Sequence, residues 1–547
     1  MLTAKNPILP GFYPDPSICR VEDTYYLVNS TFSYAPGVPI FESRDLVNWK
    51  QIGNILDRRE QLILDGATMS RGIYAPTIRY HQGTFYMITT NVSYGGNFYV
   101  TATDPAGPWS DPIYLKAPEG EDGGIDPSLY FEGEKCYYVG QRQKKAAEWF
   151  GDCEIWLQEL DLQRGELTGP SYALYDGSMK KANWAEGPHL YKIGEYYYLL
   201  CAEQGTGFEH SISVARSRTL TGPYENYPGN PLITHRHLGR QYPVQCVGHG
   251  DLVDTKEGDF YMVLLGTRPV NGAARLGRET FLAKVEWQEG WPVVNPGEGK
   301  LFMEQPVALP ECPLAKGQVP AFQRKMELSF RQPLDPRLLT FRHLGEGAFK
   351  AADEQGSGIA LSFRGGRPQD ADKEVSYLGV RQQALCFSLQ VQAGCNLNEG
   401  EEAGLLYLHD DDNYLLFLIK KGPQGLYCQV QKRELGKEEL FPAHPLKQEE
   451  NGFVTMGLSG TEKGVIFELS GRKIESCNTD FLSSERGGGF VGCTYGIYAF
   501  GATEGYAHFR HFTVEYPVVA ERKIEYNKDI YREYTKVKSL ADKNTLA

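Results

Sequence analysis

Five segments of the chain repeat one pattern, and this repetition constrains the fold more than any other feature. Each segment has a Pro or Gly marker, an apolar pair, a short polar turn and an aromatic-rich run, which is typical of a β-hairpin. The five markers are Pro16, Pro76, Pro127, Pro188 and Gly250. They are separated by 60, 51, 61 and 62 residues, which leaves room for about four strands in each unit. Five such units predict a β-propeller closed around a central channel.

The repeats assign residues 1–305 to a five-bladed propeller, and the pattern changes after Pro306. The segment Pro310-Glu-Cys-Pro313 is typical of a linker, and no sixth copy of the motif follows it. Residues 320–517 contain seven or more alternating apolar runs, which predict a two-sheet β-sandwich. The tail, 518–547, combines charged residues with scattered apolar ones and is compatible with a short surface helix. The predicted fold class is therefore all-β.

Composition narrows the choice of partner. The 547 residues include 56 Lys and Arg against 69 Asp and Glu, so the formal charge of −13 disfavours a polyanion such as nucleic acid. Aromatic residues reach 12%, and their flat faces suit stacking against sugar rings. The eleven cysteines are scattered singly without a C-x-x-C pair, which favours buried thiols over disulfides or a zinc site. A small neutral ligand fits this composition best.

The sequence carries no signal for a membrane. Its first ten residues lack a basic start followed by an apolar stretch, and no window approaches the ~20 apolar residues that a membrane-spanning helix needs. We therefore expect a cytoplasmic protein without a membrane partner. The sequence leaves its oligomeric state open, and a homo-oligomer is compatible with it.

Superposable repeats should place their opening residues at equivalent positions, near one end of the strands that line the channel. We call these residues the crown: Asp15, Tyr74 with Ala75, Asp126, Glu186 with Gly187, and His249. Converging carboxylates repel each other when ionised, so one should stay protonated near neutral pH while another is charged. A general acid and a general base together can cleave a glycosidic bond.

Each crown residue also has a simpler interpretation. Asp15 and Asp126 each open an Asp-Pro-Ser turn, where an Asp often caps its own backbone, and a Glu before Gly-Pro is commonly a solvated turn residue. The recurrence of the Asp argues against the first interpretation. Trp184 and Asn183 beside Glu186 argue against the second, because an aromatic face and an amide suit a ligand-lined cleft.

Two further features are less specific. His249 fits hydrogen bonding within the channel as well as it fits binding a ligand or a metal. The acidic run Asp410-Asp-Asp412 lacks the spacing of an EF-hand loop. We interpret the acidic run as a turn between strands, with no chemical role.

Six ordered motifs resemble those of glycoside hydrolase family 43. They are Asn6-Pro-Ile-Leu-Pro-Gly-Phe-Tyr-Pro-Asp-Pro-Ser17, Gly72-Ile-Tyr-Ala-Pro76, Gly124-Ile-Asp-Pro-Ser128, Trp184-Ala-Glu-Gly-Pro-His189, Val247-Gly-His-Gly-Asp251 and Leu276-Gly-Arg-Glu-Thr-Phe281. The whole chain is similar to the two-domain β-D-xylosidases and α-L-arabinofuranosidases of that family. The resemblance implies an exo-acting, inverting hydrolase that releases terminal β-D-xylose or α-L-arabinofuranose from xylo-oligosaccharides and arabinosylated hemicellulose fragments. No cofactor is implied for the chemistry.

The resemblance also implies roles for individual residues. Asp15 matches the general base that activates water, Glu186 the general acid, and Asp126 the residue that orients the acid and raises its pKa. In an inverting enzyme the base and the acid should stand about 6.5–9.5 Å apart. Arg278 matches an arginine that contacts substrate hydroxyls and helps set the pKa of the acid. A guanidinium there would also keep Asp15 ionised, although a surface strand residue is the simpler interpretation of Arg278.

The remaining site residues are also implied by resemblance. His249 matches a histidine that in some relatives binds calcium through water or touches substrate. Phe32 and Tyr74 match the aromatic walls of a pentose pocket, where many related xylosidases carry Trp in place of Tyr74. The loop 91–97 looks shorter than its counterpart, so the chain resembles the arabinofuranosidase-leaning branch. Phe490, after three glycines, is the candidate for a sandwich residue that closes the pocket.

Two other functions compete with this hypothesis. A retaining fructosidase-type propeller shares the two-domain plan, but its Trp-x-Asn-Asp-Pro-Asn-Gly opening is absent from the sequence. A non-catalytic carbohydrate-binding propeller would require the three carboxylates to be dispensable. The sequence leaves open the preference between xylose and arabinose, the occupancy of a calcium site and the natural polysaccharide source.

Overall fold

A computed structural model describes residues 2–116, 123–179, 181–328, 330, 334–343, 347–352, 358–446, 452–502 and 504–518. Within these ranges the chain forms thirty-nine strands, one short α-helix and one 3₁₀ turn at Arg236–Leu238, which confirms the all-β prediction. The helix predicted for the tail lies outside the described residues. None of the described helical segments has the length and apolar character that crossing a bilayer requires.

The first part of the structure contains twenty-three strands. In chain order they are β1 (Leu2–Lys5), β2 (Ser17–Val21), β3 (Thr24–Val28), β4 (Tyr34–Ala35), β5 (Gly37–Ser43), β6 (Lys50–Leu56), β7 (Ile73–His81), β8 (Thr84–Asn91), β9 (Gly96–Ala102), β10 (Ile113–Tyr114), β11 (Ile125–Glu132), β12 (Lys135–Gln143), β13 (Cys153–Asp161), β14 (Glu166–Tyr175), β15 (Glu186–Ile193), β16 (Tyr196–Glu203), β17 (Ser211–Ser217), β18 (Glu225–Asn226), β19 (Gln245–Asp254), β20 (Phe260–Thr267), β21 (Glu279–Gln288), β22 (Trp291–Val294) and β23 (Glu304–Val307).

These strands form five antiparallel four-stranded sheets, and each sheet is one propeller blade. The blades are β2-β3-β5-β6, β7 to β10, β11 to β14, β15 to β18 and β19 to β22. The innermost strands β2, β7, β11, β15 and β19 contact one another in a ring that closes between β19 and β2. The five predicted blades are therefore confirmed.

The ends of the propeller are joined by pairing across the closure point. Strand β1 pairs with β23, so the start of the chain is hydrogen-bonded to the segment that follows the fifth blade. The Asn6 side chain donates to the carbonyl of Leu282, and the Ser17 hydroxyl donates to Asp251 at 2.6 Å. Both contacts join residues far apart in sequence, so they stabilise the closed ring.

Apolar side chains fill the space between neighbouring blades. Ile88 and Tyr99 of the second blade pack with Tyr138 and Trp156 of the third, and all four are buried. Burial of such side chains contributes roughly 25 cal/mol for each Å² of apolar surface removed from water. The Tyr-rich hairpins of the sequence therefore supply much of the packing between blades.

The second part of the structure is a sandwich of two antiparallel sheets, as predicted. Its elements are β24 (Lys325–Glu327), β25 (Thr340–Phe341), β26 (Phe349–Ala351), β27 (Gly358–Ser362), β28 (Ser376–Arg381), β29 (Phe387–Gly394), β30 (Glu402–Asp410), β31 (Asn413–Gly422), β32 (Gly425–Glu434), β33 (Lys437–Leu440), β34 (His444–Pro445), β35 (Phe453–Thr461), β36 (Gly464–Leu469), β37 (Arg472–Cys477), α1 (Ser484–Gly487), β38 (Thr494–Phe500) and β39 (Tyr506–Glu515).

One sheet has the order β26-β27-β39-β29-β35-β36-β37, with β24 also paired to β39. The other has the order β28-β38-β30-β31-β32-β33, with β34 paired to β32. Their facing apolar side chains form one shared core. The acidic run Asp410–Asp412 lies at the turn between β30 and β31.

The sandwich packs directly against the propeller. Strand β25 pairs with β4, which lies in the connection between β3 and β5, and the Asp411 carboxylate accepts a hydrogen bond from the Met69 backbone at 2.6 Å. Gly277 and Gly492 approach so closely that a Cβ on Gly277 would lie 2.7 Å from the Gly492 Cα. Met69 lies in the connection that leads to the second blade, and Gly277 lies in the fifth blade between β20 and β21. The sandwich therefore reaches the residues around the channel mouth.

Candidate active site

The repeat-opening residues lie at the same end of the five innermost strands, and their backbones share an uncommon conformation. Their φ angles are all positive, at 50° for Asp15, 32° for Ala75, 52° for Asp126, 56° for Gly187 and 41° for His249. In four of these blades the pairing register shifts beside the same position, as in a β-bulge. A non-glycine residue with this backbone is strained by roughly 1–3 kcal/mol. Bulges re-aim side chains, and here they occur around the channel mouth.

Asp15 lies in a pocket of hydrogen-bond donors. Its two carboxylate oxygens accept from Arg278 and from the Ser30 hydroxyl, both at 2.7 Å. The Ser30 oxygen in turn accepts from the Ala75 backbone at 2.6 Å, which fixes its orientation. Burial acts to raise the pKa of Asp15, but Arg278, His249 and the Ser30 hydrogen bond outweigh it and hold that pKa below its ordinary value. Asp15 is therefore ionised near neutral pH.

Glu186 and Asp126 have the opposite electrostatics. Burial raises the pKa of Glu186 well above its ordinary value, the negative charges of Asp126 and Asp15 add to this, and Arg278 opposes it. Burial and Asp15 also raise the pKa of Asp126, whose carboxylate accepts a hydrogen bond from the Gly187 backbone. Both carboxyl groups therefore favour the protonated form more than an isolated carboxyl group does, in contrast to Asp15.

The site therefore combines a carboxylate and a carboxylic acid at one channel mouth. Asp15 is held ionised by a guanidinium, whereas Glu186 is held protonated by burial and by neighbouring negative charge. Two carboxyl groups whose pKa values are shifted apart in this way can accept one proton and donate another in the same reaction.

His249 occupies the space that a side chain at position 187 would need. A Cβ on Gly187 would lie 2.7 Å from the His249 Cε1 atom, so the fourth blade has glycine where two other blades have aspartate. His249 is 7% exposed, and its imidazole lies near enough to lower the pKa of both Asp15 and Asp126.

The fit of calcium to this site is limited. Calcium prefers six to eight oxygen ligands, whereas His249 offers a nitrogen. The described residues contain no group of three or more His, Cys, Asp or Glu side chains arranged to hold a metal ion. Binding of calcium by His249 through water stays a prediction, and we route no chemistry through it.

Aromatic side chains form one wall beside Asp15. Phe32 is buried, and its ring lies 4.7 Å from that of Tyr74. The Arg278 guanidinium lies 5.4 Å from the Phe32 ring. The Tyr74 hydroxyl donates to the Ser70 carbonyl at 2.6 Å, which fixes the direction of its ring. The structure thus brings Phe32, Tyr74 and Arg278 together beside Asp15.

Phe490 reaches this wall from the sandwich. Its backbone N–H donates to the Ser70 hydroxyl at 2.9 Å, and its carbonyl accepts from Arg278 at 3.4 Å. The preceding Gly489 has no room for a side chain, because a Cβ there would lie 2.4 Å from the Ser70 hydroxyl. The Phe490 side chain is 47% exposed beside the site. Ser70 thus contacts both Phe490 and Tyr74.

Trp184 lies on another side of the crown, just before Glu186. It is half-buried, and glycines flank it because a Cβ on Gly151 or Gly205 would lie within 3.0 or 3.2 Å of its ring. The Trp184 and Phe150 rings pack edge to face, with their centroids 5.3 Å apart.

Sequence reasoning missed the two serines that orient the site. Ser30 and Ser70 are single hydroxyl residues outside the repeated motif. A weak signal existed for Ser30, because uncharged polar residues end the second strand of the first two hairpins, in 29–31 and 89–91. No comparable pattern marks Ser70.

A second ring of polar residues lies two positions further along the innermost strands. Its members are Ser17, Thr77, Ser128, His189 and Asp251, each at most 3% exposed. Arg79 donates to Asp251 at 2.8 Å and meets the His189 Nδ1 atom at 2.8 Å. Tyr191 also donates to Asp251. Burial acts to raise the pKa of Asp251, but Arg79 outweighs it and holds that pKa well below its ordinary value.

The fold and the site together define a class of enzyme. A five-bladed propeller with an ionised and a protonated carboxyl group at its channel mouth is suited to hydrolysing glycosidic bonds, so the class is that of the glycoside hydrolases. Residues 4–292 match the family described as glycosyl hydrolases family 43. Residues 332–515 match the β-xylosidase C-terminal concanavalin A-like domain. The chain belongs to glycoside hydrolase family 43.

Individual relatives agree with this assignment. A xylosidase/arabinosidase of Butyrivibrio fibrisolvens is 46% identical over 531 residues, covering 94% of this chain and all of the relative. A non-reducing end α-L-arabinofuranosidase of Bacteroides ovatus is 37% identical over 523 residues, covering 91% and 92%.

Solved structures are similar over nearly the whole chain. A family 43 protein of the Bacteroides ovatus xyloglucan locus has a TM-score of 0.84 and 34% identity, covering 95% of this chain and all of that one. A xylan β-1,4-xylosidase of Bacillus halodurans has a TM-score of 0.84 and 31% identity, covering 94% and 100%. The likeness therefore includes both the propeller and the sandwich.

Proposed function

We propose that this enzyme removes single terminal β-D-xylose or α-L-arabinofuranose units from xylo-oligosaccharides and arabinosylated hemicellulose fragments, with inversion at the anomeric carbon. The observation that carries the proposal is the opposed pKa shift of Asp15 and Glu186 at one channel mouth. The xylosidase/arabinosidase that is 46% identical to this chain supports the choice of sugars.

In the proposed reaction Glu186 gives its proton to the glycosidic oxygen as the bond to the anomeric carbon breaks. Asp15 takes a proton from a water molecule, and the water oxygen bonds to the same carbon from the opposite face. One proton is donated and one accepted, so both carboxyl groups end with their charges exchanged. Proton exchange with solvent then restores the starting state.

Asp126 and Arg278 act on these two groups. The negative charge of Asp126 favours the protonated form of Glu186 before the reaction. Arg278 keeps Asp15 ionised and, at 2.7 Å from it, also fixes the direction of its carboxylate. We assign Asp126 and Arg278 to positioning and tuning, with Arg278 also able to contact a substrate hydroxyl.

The walls of the site favour a chain end. Phe32 and Tyr74 form an aromatic surface beside Asp15, and the backbone of Phe490 extends the same wall from the sandwich. A pocket bounded by two domains suits one terminal sugar better than the middle of a chain. This supports exo action.

The test uses an aryl β-D-xyloside and an aryl α-L-arabinofuranoside with wild type, Asp15→Ala and Glu186→Ala. We expect wild type to hydrolyse at least one of them, and each variant to lose activity by about 10²–10⁴-fold on oligosaccharides. Glu186→Ala should lose less on aryl substrates with very good leaving groups, because these need little acid assistance. Proton NMR of the first-formed sugar reports the inversion.

Two results would contradict the proposal. Binding of pentosides by wild type without turnover of either substrate would favour a carbohydrate-binding propeller. Alternatively, the first-formed sugar could retain its anomeric configuration, which would favour a retaining mechanism. The ratio of the two wild-type activities gives the preference between xylose and arabinose.

A further inference from the structure

A groove of about 530 Å³ lies beside the crown between the second and third blades. Its lining includes Ile125, which adjoins Asp126 in sequence, and Trp184, two residues before Glu186. The groove therefore adjoins the chain segments that carry Asp126 and Glu186. Asn91 and Gln141 lie along it, and Tyr94 and Phe150 belong to its rim. Every lining residue belongs to the propeller.

The rim carries two unusually exposed aromatic side chains. Phe150 is 83% exposed and Tyr94 is 48% exposed. Large apolar side chains that cluster at a surface often mark a binding site. Phe150 stands perpendicular to Trp184 at a ring distance of 5.3 Å. Gly151 and Gly205 pack closely against the Trp184 indole and fix its position. Phe150 packs against this indole and extends into solvent.

Among the residues that the structure describes, the lining of the groove is uncharged. None of its described lining residues is Asp, Glu, Lys or Arg, although such residues make up 23% of the chain. By contrast, the cavity of about 290 Å³ between propeller and sandwich is lined by Arg59, Arg342, Asp372 and others of both signs. A groove with amides, hydroxyls and aromatic faces suits a neutral ligand rich in hydroxyl groups.

We infer that this groove binds the leaving-group side of the substrate, as two or more neutral sugar residues beyond the bond that is cleaved. Phe150 provides the face on which one of these sugars stacks, while Trp184 lines the path from the crown. This inference rests on the proposed function, since it assumes that the crown cleaves a glycosidic bond. It adds that recognition of the leaving group belongs to the propeller alone.

The test compares Phe150→Ala with wild type on short and long substrates. The short substrates are 4-nitrophenyl β-D-xyloside and 4-nitrophenyl α-L-arabinofuranoside, and the long ones are xylotetraose and an arabinosylated xylotetraose. We expect kcat/KM on the long substrates to fall about tenfold, mainly through KM, since one aromatic stacking contact is lost. Activity on the short substrates should stay within about twofold of wild type.

Matched controls are available elsewhere on the surface. Tyr172 and Phe322 are each 38% exposed and lie outside the groove. Tyr172→Ala and Phe322→Ala should leave the ratio of long to short activity unchanged, whereas Tyr94→Ala should lower it. An equal change in the controls, an equal loss on both substrate lengths with Phe150→Ala, or no loss on the long ones would overturn the inference.

A binding measurement separates this inference from the proposed function. Calorimetry with xylotetraose and the inactive Glu186→Gln protein, with and without Phe150→Ala, requires no turnover. Weaker binding of about tenfold in the double variant supports the groove even if wild type hydrolyses nothing, in which case only the proposed function fails. Equal affinity of the two proteins would overturn the groove even if wild type is fully active.

Discussion

The crown and the second ring lie two residues apart on the same five strands, and they hold buried charge in opposite ways. In the second ring, Asp251 accepts hydrogen bonds from Arg79, Ser17 and Tyr191, and its pKa is lowered. In the crown, burial and the negative charges of Asp126 and Asp15 outweigh the single Arg278 and raise the pKa of Glu186 well above its ordinary value. One ring neutralises its charge, whereas the other leaves a surplus of negative charge near the reacting bond.

The two rings therefore respond to pH in opposite directions. A lowered pKa at Asp251 means that its contribution to folding is present above the unfolded value of about 3.9 and is lost as pH falls. A raised pKa at Glu186 means that its protonated form favours the fold at low pH, and that this contribution is lost as pH rises through the folded pKa. The contrast separates a ring that stabilises the propeller from one that performs chemistry.

The largest expected effect is on catalysis at the crown. Glu186→Gln should lower kcat on xylo-oligosaccharides by about 10²–10⁴-fold, because the proton donor is lost. The same variant should lose less thermal stability than wild type between pH 5 and pH 9, since it has no carboxyl group at position 186 to ionise. Thermal melts at both pH values check this. A variant less stable than wild type at pH 9 would mean that the crown does not hold Glu186 under electrostatic strain.

A loss of stability is expected from the second ring. Asp251→Asn leaves Arg79 buried without its counter-charge, which costs about 3–5 kcal/mol of the free energy of unfolding. Denaturant unfolding at pH 7 measures it, and the folded fraction should keep most of its kcat. The exposed pair Arg58 and Asp111 provides a control, since Asp111→Asn should cost no more than about 1 kcal/mol. A loss of kcat without a loss of stability would reverse the roles of the rings.

A smaller effect on catalysis is expected from removing Arg278, which pairs with Asp15 in the crown as Arg79 pairs with Asp251 in the second ring. Arg278→Ala removes the guanidinium that lowers the pKa of Asp15, so that pKa should rise. The acid limb of the kcat/KM profile should then move to higher pH, because Asp15 must be ionised to accept a proton from water. Profiles of wild type, Arg278→Ala and Arg278→Lys from pH 4 to pH 9 test this. An unmoved acid limb in Arg278→Ala would exclude Arg278 from setting the charge of Asp15.

The smallest expected effect tests whether the crown, unlike the second ring, depends on the sandwich. Ser70→Ala removes the hydroxyl that accepts from the Phe490 backbone. At about 1 kcal/mol for one hydrogen bond, KM should rise roughly fivefold with little change in kcat. A cycle with Phe490→Ala should be non-additive, because Ser70 holds the backbone segment that carries the Phe490 ring. Additive effects would show that Ser70 acts without Phe490.

The repeats predicted the crown because hairpins of one pattern superpose, so that residues at one motif position must converge in space. The second ring was equally visible, since its five polar members directly follow the marker residues, although the sequence offered no reason to separate its role from that of the crown. Ser70 could not be predicted, because its contacts come from the packing of two domains. Likewise Phe150 and Tyr94 lie in connections that vary from blade to blade, where no repeat indicates their direction.

The close approach of Gly187 and His249 has a consequence for how the blades can diverge. Copies of a repeat are usually free to mutate one by one, yet here the ring of the fifth blade fills the volume that a side chain on the fourth would need. Positions 187 and 249 therefore form a single unit of variation. A library that randomises position 187 alone will mostly sample clashes with His249, whereas joint randomisation of 187 and 249 reaches new catalytic geometries. The repeat offers five equivalent positions, and the contact between Gly187 and His249 leaves room for side chains at four of them at once.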